Sequence, residues 1–125
     1  MQENVTAKYF NQAYAQEQTI KELNTPRKYT DIELTEIENY IRKVFGKNGN
    51  LAVAVAKGEC RGLNPNCRNV SRIEHSICQF QINLKAHHDK VPGQNLQEKE
   101  TWLMNAQNCT LVAKIIYDES GFYPW

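Results

Sequence analysis

Apolar residues recur at helical spacing most clearly at Ile37, Tyr40, Ile41, Val44 and Phe45, with charged and amide side chains filling the positions between them. Thr30 and Glu33 stand ahead of this repeat with the spacing of a capping box, and Gly46 comes after it as a stop. The pattern predicts an amphipathic helix from about Thr30 to Phe45. Asn48-Gly49-Asn50 then forms a turn in which either asparagine can cap the next helix. Leu51 to Ala56 are apolar in every direction, and a helix of that kind is expected in the middle of its domain. A short buried strand is the competing reading, but the alanines and the leucine favour helix. The run ends at Lys57-Gly58-Glu59.

Residues 60–76 read as a loop, with Gly62, Asn64, Pro65, Asn66, Asn69 and Ser71 as turn formers. Ile77 to Leu84 has β character and is expected to supply one side of a short hairpin or a groove-lining segment. Pro92-Gly93 marks another turn, after which the pattern predicts a helix over 97–104 and a second over 110–118, terminated by Gly121. Residues 1–29 form an appended helix or tether in this reading. Phe10, Ala13, Tyr14 and Ile20 fall weakly toward one side of a helix over 8–23, and Thr25-Pro26 ends it. The expected architecture is therefore mainly α, with one domain over 30–125 and a short β segment or hairpin.

Composition narrows the function classes. Fifteen basic and 14 acidic residues leave a formal charge of +1, which supplies no basic field for nucleic acid. No apolar run approaches the length of a membrane span, and the first twenty residues lack the apolar centre of a secretory signal. Cys60, Cys67, Cys78 and Cys109 suggest two disulfides, with three pairings open, and hence surroundings outside a reducing cytosol. Buried free thiols are the bland alternative. A metal set of Cys60, Cys67 and Cys78 with His87 or His88 is a weaker one, because no C-x-x-C spacing is present. Matches to N-x-S/T at Asn4, Asn69 and Asn108 matter only in a eukaryotic secretory host.

The carboxylate of interest is Glu59, at the C-terminal end of the most apolar helix. Partial burial and the negative end of the helix dipole both disfavour its charged form. A carboxyl still protonated near neutral pH can donate to a leaving oxygen, as cleavage of a glycosidic bond requires. The competing reading is a glutamate that ends a helix and faces water. Glu74 and Asp89 are the nearby downstream carboxylates that could act as a second acidic group, and surface solvation is the default for both.

Neighbouring residues add a family likeness. Ile37 to Phe45, Ala52 to Glu59 and Gly62-Leu63-Asn64-Pro65 resemble the start of lytic transglycosylase domains, whose catalytic Glu ends a buried helix before a segment like Ser-Gly-Leu-Asn-Pro. Phe80-Gln81-Ile82-Asn83-Leu84 resembles the family's Gln-Ile-Asn segment on the cleft floor, and His87 or His88 comes next where many members carry histidine. Trp102-Leu103, Ala113, Ile116-Tyr117 and Gly121-Phe122-Tyr123-Pro124-Trp125 resemble the closing helices and the Gly-x-x-Pro-Trp ending. The likeness spans about residues 31–125. Three departures stand out. Family members commonly have Ser and Gly after the glutamate, whereas here Cys60 and Arg61 intervene before Gly62; Cys78-Gln79 replaces the glycine expected ahead of Phe-Gln-Ile-Asn, and Asn108 sits one residue off the usual spacing to Ala113.

The resemblance implies a lysozyme-like helical fold with the β segment beside the active-site cleft, and Glu59 as general acid and then base. It makes Gln81 and Asn83 cleft residues that orient sugar or the Glu59 loop, and Tyr117 a candidate for contacting the N-acetyl sugar or for hydrogen-bonding near Glu59. Trp102 and Trp125 could stack on sugar, although core packing is the commoner fate of tryptophan in small domains. The implied substrate is the peptidoglycan glycan strand, cleaved between N-acetylmuramic acid and N-acetylglucosamine with no metal or organic cofactor. The implied place of action is extracytoplasmic, alone or within a larger cell-wall, phage or secretion assembly. A catalytically weak peptidoglycan-binding module and a secreted effector whose surface matters more than its cleft are the alternatives.

Overall fold

Thr30 opens the first helix as its spacing predicts. Its hydroxyl accepts from Glu33 N at 3.1 Å, and Glu33 Oε1 accepts from Thr30 N at 3.0 Å, so two orphan donors of the first turn are satisfied reciprocally. In a computed structural model that describes residues 28–125, this helix, α1, spans Asp31–Phe45. The helix expected over 8–23 lies outside the described residues. Ile37, Ile41 and Phe45 are buried along one face of α1, whereas Tyr40 and Val44 lie at its partly buried margin.

A 3₁₀ turn at Gly46–Asn48 leads straight into α2, Gly49–Glu59. Neither asparagine caps α2 by the expected side-chain bond. Asn48 makes no such bond, and Asn50 Oδ1 instead accepts from Arg42 Nε at 2.9 Å, tying α2 back to α1. Gly49 is buried where the two helices meet, and a Cβ there would lie 2.7 Å from Arg42 Cα. α2 is a helix, but its apolar run is not wrapped on all sides. Ala52, Val53 and Ala56 are buried, while Leu51, at 55 % exposure, and Ala54 face water. Alanine-rich sequence conceals this sidedness, because small side chains give little contrast between the faces.

The expected loop over 60–76 contains two strands. β1 (Arg68–Val70) and β2 (His75–Ile77) pair antiparallel, with Asn69 opposite Ser76. β3 (Ile82–Asn83) pairs antiparallel with β2, Ile77 opposite Ile82, so the sheet order is β1-β2-β3. Three-residue strands carry too few positions for a period-two pattern, and β1 is exposed throughout, so no apolar alternation marks it. The chain continues through α3 (Leu84–His87), a 3₁₀ turn at His88–Lys90, α4 (Leu96–Leu103) and α5 (Ala106–Ser120). Asn95 caps α4 by accepting from Glu98 N at 2.9 Å, and Asn105 caps α5 by accepting from Gln107 N and Asn108 N. α5 therefore starts four residues before the predicted boundary, because Asn105 is the cap that the hydrophobic pattern does not register.

The protein is mainly α with a small antiparallel sheet. α1 packs on α2 and α5, and α5 also meets α4 and the sheet. An aromatic cluster joins these layers: the Phe45 ring lies 5.8 Å from Phe80, 5.6 Å from Tyr117 and 5.9 Å from Phe122. Trp125 Nε1 donates to Phe80 O at 2.7 Å, which draws the chain end over the cluster. Of the three pairings open in the sequence, the protein uses Cys60–Cys67 and Cys78–Cys109. Cross-links of this kind persist in oxidising surroundings. By loop-closure entropy the 31-residue bridge contributes about 3.7 kcal/mol and the 7-residue bridge about 2.4 kcal/mol. Among the described residues no helix is long and apolar enough to cross a membrane.

Candidate active site

Glu59 is the last residue of α2, and its neighbours stop the helix there. Cys60 N closes a final bond to Ala56 O at 2.9 Å while its own backbone turns extended, φ −141° and ψ 114°. Gly62 and Leu63 then adopt left-handed φ values of 76° and 57°. Glycine does this freely, whereas a Cβ costs about 1–2 kcal/mol there. Leu63 tolerates the cost because its side chain is sealed in the core at 2 % exposure. The Cys60–Cys67 disulfide closes the loop that results.

The Glu59 side chain as a whole is exposed, yet its carboxyl titrates above the ordinary glutamate value. Desolvation by the protein packed beside it is the larger cause, and repulsion from Glu74 is the second. The α2 dipole presents its negative end at the same place, which works in the same direction. Glu74 is half-buried at the start of β2, in the turn where Ser71 N donates to Glu74 O at 2.8 Å. The sheet thus brings a second carboxylate within electrostatic reach of Glu59. Asp89 lies elsewhere, exposed and 3.9 Å from Lys90 Nζ.

Gln81 and Asn83 hold the sheet in shape. Gln81 accepts from Asn69 Nδ2 at 2.6 Å and donates to Cys78 O at 2.9 Å and Cys67 O at 3.3 Å. Asn83 Oδ1 accepts from His75 N and from Lys85 N, both at 3.1 Å, capping α3 while bracing β2. Both side chains are half-buried, whereas Ile82 between them and Phe80 and Leu84 on either side are in the core. The link from Gln81 to Glu59 runs through Cys67 O and the Cys60–Cys67 bridge.

Tyr117 stands apart from this group. Its hydroxyl accepts from Asn48 Nδ2 at 2.8 Å, at the start of α2, about 16 Å along the helix axis from Glu59. Its ring lies 4.4 Å from that of Phe122, inside the aromatic cluster. Trp102 is buried at 3 % exposure and packs in the core. His87 has a pKa below the usual histidine value, first through burial and then through the Lys90 charge. With every thiol in a disulfide, the imagined Cys60, Cys67, Cys78 and histidine metal set cannot form; no group of three potential metal ligands occurs among the described residues.

One charged cluster escapes the sequence altogether. Glu100, from α4, reaches His75 Nε2 at 2.9 Å and Arg68 Nε at 2.5 Å, so one carboxylate ties together β1, β2 and α4. Burial alone would raise the Glu100 pKa, but hydrogen bonds from Arg68 and His75, with their charges, bring it below the ordinary value. Residues 68, 75 and 100 share no motif or periodicity, and the only available hint is an acidic residue on the inward side of a short helix. Comparison with protein-family models, curated proteins and solved structures finds no match to this chain in any of the three.

Proposed function

We propose that this domain cleaves the β-1,4 bond between N-acetylmuramic acid and N-acetylglucosamine of peptidoglycan, as a lytic transglycosylase or lysozyme. The observation that carries the reading is the Glu59 carboxyl. It terminates an apolar helix, is held above its ordinary pKa by desolvation and by Glu74, and is tied through one disulfide to the segment bearing Gln81 and Asn83. Protonated, Glu59 gives its proton to the bridging oxygen as the sugar develops oxocarbenium character. Ionised, it then takes a proton from the 6-hydroxyl of the same sugar, closing an anhydro ring, or from water, leaving a reducing end. The chemistry needs no metal or organic cofactor. The two disulfides support an extracytoplasmic place of action, where the substrate lies.

The alternative, a lysozyme-like module that binds glycan strands without turnover, has two observations in its favour. The Glu59 side chain is exposed, and Cys78 carries a left-handed φ of 72° where the family resemblance expects glycine. Digestion of purified murein by the wild type and by Glu59→Gln separates the two. The enzyme reading expects Glu59→Gln to lose about a hundredfold or more in rate. Equal binding with intact strands in both samples selects the module. Mass spectrometry of the products assigns anhydro ends to a transglycosylase and reducing ends to a lysozyme.

A further inference from the structure

The two disulfides stand in different surroundings. Cys78 and Cys109 are both fully buried, and their bridge staples the sheet to α5 inside the core. Cys60 is buried at 2 % exposure, but Cys67 is only partly covered and immediately precedes the exposed strand β1. The Cys60–Cys67 bridge joins two points of functional interest. Cys60 is the residue directly after Glu59, and Cys67 O accepts from Cys78 N at 2.8 Å and from Gln81 Nε2 at 3.3 Å. Between them the loop holds Leu63 in left-handed backbone and bonds Leu63 N to Cys60 O at 3.1 Å and Cys67 N to Asn64 O at 3.1 Å. A covalent tie therefore runs from the end of α2 to the segment that carries Gln81, across a loop that its own short-range hydrogen bonds and the buried Leu63 also hold.

We propose that the Cys60–Cys67 disulfide is a redox latch on the candidate active site. Closed, it ties the end of α2, next to Glu59, to the Cys67 carbonyl that holds Gln81; opened, it frees that end of α2 while the buried Cys78–Cys109 bridge keeps the fold. This rests on the reading of Glu59 as the acid of glycan cleavage, and it makes Cys60 and Cys67 positioning residues. Opening is thiol–disulfide exchange with a dithiol. One thiolate of the dithiol attacks the Cys67 sulfur, the Cys60–Cys67 bond breaks, and Cys60 leaves as thiolate and takes up a proton. The second thiol of the dithiol then closes on the mixed disulfide and frees Cys67 as a thiol. Two electrons and two protons pass to the protein, and the dithiol leaves as its own disulfide. The reverse exchange with a disulfide donor closes the latch, so the domain is silent among reduced thiols and active once oxidised.

The test uses the full oxidised chain, exposed briefly to dithiothreitol, trapped with iodoacetamide and mapped by peptide mass. Cys60–Cys67 is expected to open at least about tenfold faster than Cys78–Cys109, as the less shielded bridge. The species opened at that bridge alone is expected to lose about tenfold or more in kcat on murein, with KM changed by less than about threefold, because misplacement of the acid lowers turnover rather than binding. Amide exchange should quicken at Leu63, Cys67 and Cys78 while Ile41 and Ala113 stay protected, and reoxidation of untrapped protein should restore both properties. Cys60→Ser/Cys67→Ser should be slow whether or not dithiothreitol is present, which excludes the bulk of the alkyl group as the cause. Simultaneous opening of both bridges, or an opened species with unchanged turnover and exchange, overturns the latch. An oxidised wild type no faster than Glu59→Gln overturns the glycan-cleaving reading instead, and the latch is then judged on exchange at those amides alone.

Discussion

Gly49 and Gly58 sit in the same helix, α2, and the same substitution should move stability in opposite directions at the two. Both have right-handed helical backbone, so alanine gains helix propensity at either, worth about 0.5–1 kcal/mol. At Gly58 a Cβ would meet nothing within 4 Å, and that gain should appear undiminished. At Gly49 the Cβ would lie 2.7 Å from Arg42 Cα, 3.0 Å from Arg42 O and 3.2 Å from Arg42 Cβ. Two of these three atoms are backbone, so no rotamer change relieves the clash. α1 and α2 must separate by about 1 Å, loosening Ile41, Phe45, Val53 and Ala56 on their shared face, at a cost of about 2–3 kcal/mol. The net changes are about +0.7 kcal/mol for Gly58→Ala and about −2 kcal/mol for Gly49→Ala, or shifts of about +3 °C and −8 °C in Tm for a domain of this size. Urea unfolding monitored by circular dichroism, with both disulfides intact, measures each difference directly. A Gly49→Ala protein as stable as the wild type would show that the helices do not approach as closely as the Arg42 contacts require.

Three further outcomes concern charge. Glu59 has a folded-state pKa above its unfolded value, so its contribution is most favourable at low pH and is lost as pH rises through the folded pKa. Glu59→Gln should therefore raise Tm at pH 7 and leave it nearly unchanged near pH 3, as thermal scans at the two pH values would show. Desolvation is the larger cause of the raised Glu59 pKa and would remain, but Glu74→Gln removes the repulsion that adds to it, so the alkaline limb of the murein-digestion profile should move to lower pH; an unmoved limb would mean that the two carboxylates do not interact. Glu100 is the opposite case. Its folded pKa is depressed, so its stabilisation is present above the unfolded pKa and lost as pH falls through the folded one. Glu100→Gln should cost about 2 kcal/mol at pH 7 and much less near pH 3, measured by urea midpoints.

Elements specified by local chemistry were legible in the sequence, and those specified by distant partners were not. The Thr30–Glu33 capping box and the Ile37-Ile41-Phe45 stripe define α1 within fifteen residues, and the structure keeps both. Glu59 was legible as a helix-ending carboxylate because an apolar run leads up to it and turn formers come after it. Its partial desolvation was also legible from that position, whereas which of Glu74 and Asp89 couples to it was not, since that depends on how the hairpin folds back. That hairpin rests on ties between residues distant in sequence: Asn69 to Gln81, Asn83 to His75 N, and Glu100 of α4 to Arg68 and His75. None of these pairs has a spacing that helix or strand periodicity would reveal.

Cys78 shows how the two kinds of specification meet. Its left-handed φ of 72° is a conformation that glycine adopts without strain. A cysteine at this point accepts a backbone cost and in return anchors the sheet to α5 through Cys109, a partner 31 residues away. The exchange is favourable because closing so long a loop contributes about 3.7 kcal/mol against about 1–2 kcal/mol of local strain. With the sheet held to the helical layers in this way, the shorter Cys60–Cys67 bridge carries the smaller share of the covalent stabilisation. Opening it is expected to forfeit only its own contribution of about 2.4 kcal/mol, and for that reason the bridge next to Glu59, rather than the one in the core, is the one suited to the proposed latch.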